Sequence, residues 1–198
     1  MRRRILITGT TGGIGSAVKR AALAAGDEVV EVNREDFSNL SRLSHLSHLS
    51  HFSHFSHFSS LVFCTGTCPV KPLTQTADED FAETVRVNCG LFVKLMREIV
   101  AAKLYDPDGM RVVAVSSVSA TEGWPGGAAY CASKGALSAV CRALDAELKP
   151  KGISVVALEP RHVKTRMFDA VAGRMGVDPA RAQDPDDFAK EILHELDR

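Results

Sequence analysis

Neither sign of charge dominates this chain of 198 residues, in which 24 lysines and arginines face 24 aspartates and glutamates. That balance leaves no electrostatic footprint for nucleic acid or an acidic membrane surface as the main partner. Arg2-Arg3-Arg4 is too short to restore one and reads as a solvated chain start. Long apolar runs are missing as well, and the first residues pass straight into ILITGTTGGIG without a signal-type apolar core or cleavage site. A cytoplasmic protein with no membrane partner is therefore expected. Cysteines are few, odd in number and scattered (Cys64, Cys68, Cys89, Cys131, Cys141), which fits reduced thiols better than a disulfide framework. Cys64 and Cys68 have the spacing of a ligand pair but no second pair to complete it, so no metal site is expected.

What is present is apolar surface enough for a core: 45% of the residues are hydrophobic, and the length suits a single domain over 1–198. Short runs rich in Val and Ile, RILIT (4–8), EVVEV (28–32), SLVFC (60–64), RVVAVS (111–116) and ISVVAL (153–158), read as buried strands. Apolar positions at helical spacing fall between them over 14–25, 80–104 and 130–149. Alternation of this kind predicts an α/β protein with a doubly wound parallel sheet of Rossmann type. DPDD followed by FAKEILHEL predicts a last helix over 184–196, with a proline and acidic residues at its start.

One segment obeys neither period. From Ser41 to Ser59 the chain repeats serine, a mostly basic residue and an apolar one, ending SHLSHLSHFSHFSHFS. A period of three winds the apolar residues around an α-helix and throws them onto alternate faces of a strand. The 41–59 segment is either a low-complexity insert in a tolerant connection or a histidine set (His45, His48, His51, His54, His57) that binds a metal or titrates near neutrality. The first is the expectation.

TGTTGGIG (Thr8 to Gly15) follows the first strand and opens the first helix, the context that gives such a glycine pattern meaning. Gly9, Gly13 and Gly15, with Thr11 and Ile14 among them, allow a tight turn, close backbone approach to a pyrophosphate and an open helix N-terminus. At the end of the second strand, where an NAD-binding fold places an acid on the ribose, stand Asn33 and Arg34. A guanidinium there suits a 2′-phosphate, so NADP(H) is preferred over NAD(H); Arg34 reads equally as a surface residue, with Glu31 and Glu35 close by.

Tyr130-Cys-Ala-Ser-Lys134 puts a phenol and an ammonium on one helix face. A neighbouring cation favours the phenolate, so Lys134 is expected to lower the pKa of Tyr130 and fit it for acid–base work. Ser117, thirteen residues earlier, closes the fourth strand at the edge where open α/β sheets place ligands.

Together these motifs resemble the classical short-chain dehydrogenase/reductase family from about Ile5 to Met167. Asn88 in VRVNCG matches the family's helix asparagine. Its asparagine-alanine-glycine signature appears only as Cys64-Thr65-Gly66, and its proline-glycine turn as Pro160-Arg161, continuing to Val163 and Thr165. The resemblance implies hydride transfer between a nicotinamide and the carbon of a ketone, aldehyde or secondary alcohol, as in 3-oxoacyl reductases. Tyr130 would protonate the alkoxide, Ser117 would orient the carbonyl oxygen, and Lys134 would bind the nicotinamide ribose. Asn88 would hold a water leading from Lys134 to solvent; Gly66, Pro160, Val163 and Thr165 would contact the cofactor.

Asp36 imitates the family's adenine-side aspartate or caps a helix. Glu122, Trp124 and Pro125 are expected to line the substrate pocket with residues 166–182, although Trp124 also reads as a packing residue. The chain has no room for the family's third strand and ends without its last one, so the interface built on that strand should be lost. A homodimer through the helices at 80–104 and 130–149 is then expected. The alternative function is a cofactor-binding sensor or interaction module without turnover.

Overall fold

The computed structural model describes residues 2–37 and 57–198, so the triplet repeat lies outside the described residues except for 57–59. Five strands form one all-parallel sheet: β1 (Arg4–Thr8), β2 (Glu28–Val32), β3 (Ser60–Phe63), β4 (Met110–Val115) and β5 (Ile153–Leu158). Their order is β2-β1-β3-β4-β5. β1 is central to the nucleotide side, with Thr8 opposite both Val32 and Phe63. Among the described residues the sheet is thus doubly wound and all parallel.

Continuous apolar strands require cover on both faces, and the helices supply it. One face packs Leu6, Leu61, Phe63, Val112 and Val155 against α3 (Leu91–Ala101) and α4 (Ala128–Leu148), through Phe92, Leu95, Met96, Ile99 and Leu137. The other packs Ile5, Ile7, Val62, Val113 and Val115 against α1 (Gly13–Ala24) and a C-terminal helix (Pro185–Leu196). That last helix starts where its sequence predicts: the Asp184 side chain accepts from Asp186 N–H, Pro185 occupies the first turn, and Asp186 also pairs with Arg20 on α1. Arg3 fastens the same layer, holding Asp27 at 2.6 Å and Asp197 at 2.7 Å.

The run expected as one helix over 80–104 is interrupted. It forms α2 (Asp78–Val85), a π turn at Arg86–Gly90 and then α3. The widened turn coincides with Asn88, whose buried amide is committed to partners outside the helix, as described below. After β5 the chain makes α5 (Arg166–Asp169) and α6 (Ala172–Met175) before the final helix, α7 (Pro185–Leu196). No described helix is long and apolar enough to cross a membrane.

Candidate active site

In a parallel sheet every strand delivers its following loop to the same edge. Here those loops, with α4, enclose a cleft of about 390 Å³. Its floor at one end is the glycine turn. Gly9 adopts φ +68°, and a Cβ there would stand 3.0 Å from the Cys64 backbone; a Cβ at Gly15 would meet the Gly9 carbonyl oxygen at 2.2 Å. Gly12 N–H closes the turn on Gly9 O at 3.0 Å. No side chain caps α1, so the N–H groups of its first turn are left open toward the cleft. A backbone cradle with open donors fits a dinucleotide pyrophosphate. Thr165 covers it, its Cγ2 only 2.5 Å from where a Gly13 Cβ would stand.

The other end gathers Ser117, Tyr130 and Lys134, all on the cleft wall. Ser117 lies two residues past β4; its Oγ accepts from Ser119 N–H at 3.1 Å. Lys134 is buried, donates from Nζ to the Val115 carbonyl oxygen at 2.8 Å, and lies 5.7 Å from the centre of the Tyr130 ring. Burial pushes its ammonium down from 10.5 to about 8.

The phenol departs from the expectation. Burial, with the Cys68 thiol next in weight, raises the Tyr130 pKa, and the hydrogen bond to Ser117 only partly opposes this. The Lys134 ammonium lies 5.7 Å from the ring centre and is engaged by the Val115 carbonyl oxygen.

The Asn88 side chain is fully bonded within the protein. Its Nδ2 donates to Thr67 O at 2.9 Å and Ser133 Oγ at 2.8 Å, and its Oδ1 accepts from Thr67 N–H at 2.7 Å. Every polar atom of the amide is spent pinning the loop after β3 to α4. Gly66 sits inside that clamp, where a Cβ would come within 3.9 Å of Lys134 Nζ.

Of the residues predicted to meet a cofactor, Gly9, Thr11, Gly13, Ile14, Gly15, Arg34, Gly66, Tyr130, Lys134, Pro160, Val163 and Thr165 line the cleft. Asn33 and Asp36 do not. Asp36 Oδ2 accepts from Asn33 N–H at 2.7 Å, which is the capping alternative, and Asn33 Oδ1 accepts from the Thr10 hydroxyl at 3.2 Å. Glu31 is likewise committed, to Thr10 and to Lys19, and the Lys19 ammonium lowers its pKa. Arg34 reaches the cleft while pairing with Glu83 at 2.7 Å.

On the substrate side Trp124 lines the cleft and also packs: its Nε1 donates to Ser119 Oγ at 3.1 Å and its ring lies 6.3 Å from that of Tyr130. Glu122 and Pro125 are not on the wall: both are exposed, and Glu122 pairs with Arg161 at 2.9 Å. Residues 166–175 supply Met167, Phe168, Val171 and Met175 as an apolar wall. Thr65, Cys68, Arg161 and His162 were not anticipated there. Among them Thr65 Oγ1 is buried without a partner among the described residues.

A parallel doubly wound sheet whose glycine turn and uncapped helix face a serine, a tyrosine and a lysine defines a nicotinamide-dinucleotide-dependent oxidoreductase. The family model described as short chain dehydrogenase matches residues 36–175, and the chain belongs to that family, whose enzymes act on CH–OH or C=O groups with NAD(P). It is 30% identical over 179 residues to the 3-oxoacyl-[acyl-carrier-protein] reductase FabG of Rickettsia prowazekii, covering 83% of this chain and 74% of the relative. It is 27% identical over 216 residues to a 3beta-hydroxysteroid dehydrogenase of Mediterraneibacter gnavus, covering 96% and 78%. Among solved structures, the ligand-free aldohexose dehydrogenase of Thermoplasma acidophilum superposes with a TM-score of 0.82 at 18% identity, over 98% of this chain and 87% of that one. This last likeness concerns the fold.

Proposed function

We propose that the chain is an NADP(H)-dependent reductase of ketones or aldehydes, working as a single domain. The observation that carries this reading is the convergence of Ser117, Tyr130 and Lys134 on one cleft with the glycine cradle. A bound nicotinamide dinucleotide supplies the hydride. The protein's own work is proton management and orientation. The Ser117 hydroxyl holds the carbonyl oxygen, and Tyr130, kept protonated by burial, donates its phenolic proton to that oxygen as negative charge develops. Lys134 holds the ribose and, once turned toward it, stabilises the phenolate left behind. Gly66, Pro160, Val163 and Thr165 line the nicotinamide side, and the helix N-terminus with Thr11 and Ile14 receives the pyrophosphate.

NADP(H) is favoured by Arg34, which lines the adenosine end of the cleft as a guanidinium able to take a 2′-phosphate. Trp124 with Met167, Phe168, Val171 and Met175 receives the body of the substrate. The FabG relatives make a 3-oxoacyl group one candidate. Two copies pair through the helices of residues 78–101 and 128–148, where Phe81 and Val93 stand exposed, and the protein works in the cytoplasm.

Fluorescence titration with NADPH and NADH, followed by a panel of ketones and aldehydes, tests the reading. Tighter NADPH binding with turnover is the expected result, and binding without turnover across the panel would defeat it. Light scattering tests the dimer.

A further inference from the structure

Among the described residues no aspartate or glutamate lines the cleft of this electrically balanced chain; the cations on its lining are Arg34, Lys134, Arg161 and Arg166. Arg34 stands at the adenosine end and Lys134 on the floor. Arg161 is at the opposite mouth, fastened beside the serine: the carbonyl oxygen of Pro160 accepts from Val118 N–H at 3.2 Å, one residue beyond Ser117. Its guanidinium already holds a carboxylate in a fork, with Nη2 2.9 Å from Glu122 Oε1 and Nη1 3.3 Å from Oε2.

That carboxylate is exchangeable. The Arg161 and Glu122 side chains are 69% and 52% exposed, and an ion pair so placed contributes little to stability. A second cation reinforces the field, since among the described residues no ion pair engages Arg166, which also lines the cleft. Facing these charges is the apolar wall of Met167, Phe168, Val171 and Met175, with the His162 ring stacked 5.1 Å from Phe168.

Building on the carbonyl-reductase reading above, we propose that Arg161 takes the carboxylate or phosphate of a carbonyl substrate whose remaining body is apolar, and that Glu122 is the resident counter-ion this group displaces. An arginine fork presents two parallel donors to such a group, and the protein's own glutamate shows that the fork closes on a carboxylate where it stands. Arg161 is then a specificity-determining residue. A pair that merely latched the loop after β4 to the loop after β5 would behave differently, because breaking it from either side would have the same effect.

The test measures kcat/KM with NADPH for 4-carboxybenzaldehyde and levulinic acid and for their methyl esters, in the wild type, E122Q and R161M. The wild type should prefer the acids. E122Q should raise the acid-to-ester ratio by about threefold, while R161M should lower it by about tenfold, with R161K between. Ratios that move the same way in E122Q and R161M overturn the proposal. So does a rise in the NADPH dissociation constant of R161M matching its loss on the acids, which would assign the fork to a cofactor phosphate. Turnover of acids and esters without discrimination removes this inference alone. Turnover of neither, with NADPH bound, removes the reductase reading and the inference with it.

Discussion

The Lys134 ammonium donates to the Val115 carbonyl oxygen at 2.8 Å, tying the N-terminal third of α4 to the last residue of β4. The same contact holds the charge beneath the Tyr130 ring, 5.7 Å from its centre, and away from solvent. Its consequence is a proton equilibrium near neutrality, since burial lowers the lysine to about 8.

The sign of the resulting pH dependence follows. Between about 8 and the ordinary 10.5, the unfolded chain still binds a proton that the native Lys134 has released, so this residue makes stability rise with pH across that window. Below about 8 the penalty for burying the charge is fully present. Cofactor binding should move oppositely, weakening as pH rises through about 8 because the ammonium proposed to hold the ribose is lost. NADPH titrations from about pH 6.5 to about 9.5 should show this decline in the wild type and a flat profile in Lys134→Met. A wild-type profile without the decline would show that the ammonium is not the group holding the ribose.

Tyr130→Phe deletes the proton donor and preserves the ring that packs near Trp124. Steady-state assays should show kcat lower by about a thousandfold, the middle of the range for losing a positioned acid. NADPH affinity should change by less than about threefold, as the phenol contributes one hydrogen bond at most to the cofactor. Quenching of Trp124, the one tryptophan in the chain, gives the binding readout. Wild-type turnover in this variant would place the proton donor elsewhere.

Arg34 bonds Glu83 through one nitrogen, whereas Arg86 grips the same carboxylate through two, at 2.6 and 2.8 Å. Arg86, and after it Arg34, hold Glu83 down at about 2, so it stays ionised and satisfied when Arg34 turns to another anion. Arg34→Gln should therefore weaken NADPH binding by about tenfold, the scale of one charge-assisted contact, while NADH changes by less than about twofold. Equal losses for both cofactors would remove Arg34 from 2′-phosphate recognition.

The fold was largely legible because buried parallel strands advertise themselves: RILIT, SLVF and ISVVAL are apolar or β-branched along most of their length, and each strand appears within a residue of its run. The glycine turn was legible because Gly9 and Gly15 answer steric demands that no other residue meets. Ser117, Tyr130 and Lys134 were found by spacing, but the state of the phenol was not. Spacing tells that two side chains share a helix face, not which of them a backbone carbonyl will engage. Arg161 was passed over for a related reason. In sequence it is only a departure from a turn, and its meaning depends on Glu122, 39 positions away, folding back to meet it. The π turn was hidden because Asn88 finds its partners in Thr67 and Ser133, on two other segments.

Asn88 supplies the last prediction, since its amide is fully buried and fully bonded. Asn88→Ala would leave the Thr67 N–H and carbonyl without their partner and deprive Ser133 Oγ of its donor, although Ser133 would keep its own bond to Tyr130 O at 2.7 Å. Orphaning buried polar groups costs about 1–3 kcal/mol each, and partial rehydration of the half-exposed Thr67 should reduce the sum to about 2–4 kcal/mol. Urea unfolding should show this as a lower midpoint at an unchanged slope, the mark of lost stability rather than altered compactness. Because the same bonds place Gly66 beside Lys134, the variant should also bind NADPH more weakly under conditions where it remains folded. An unchanged midpoint would mean that water enters and replaces the amide, and the loop after β3 would then owe its position to Thr8, whose Oγ1 accepts from Cys64 and Thr65 N–H at 3.1 and 3.2 Å.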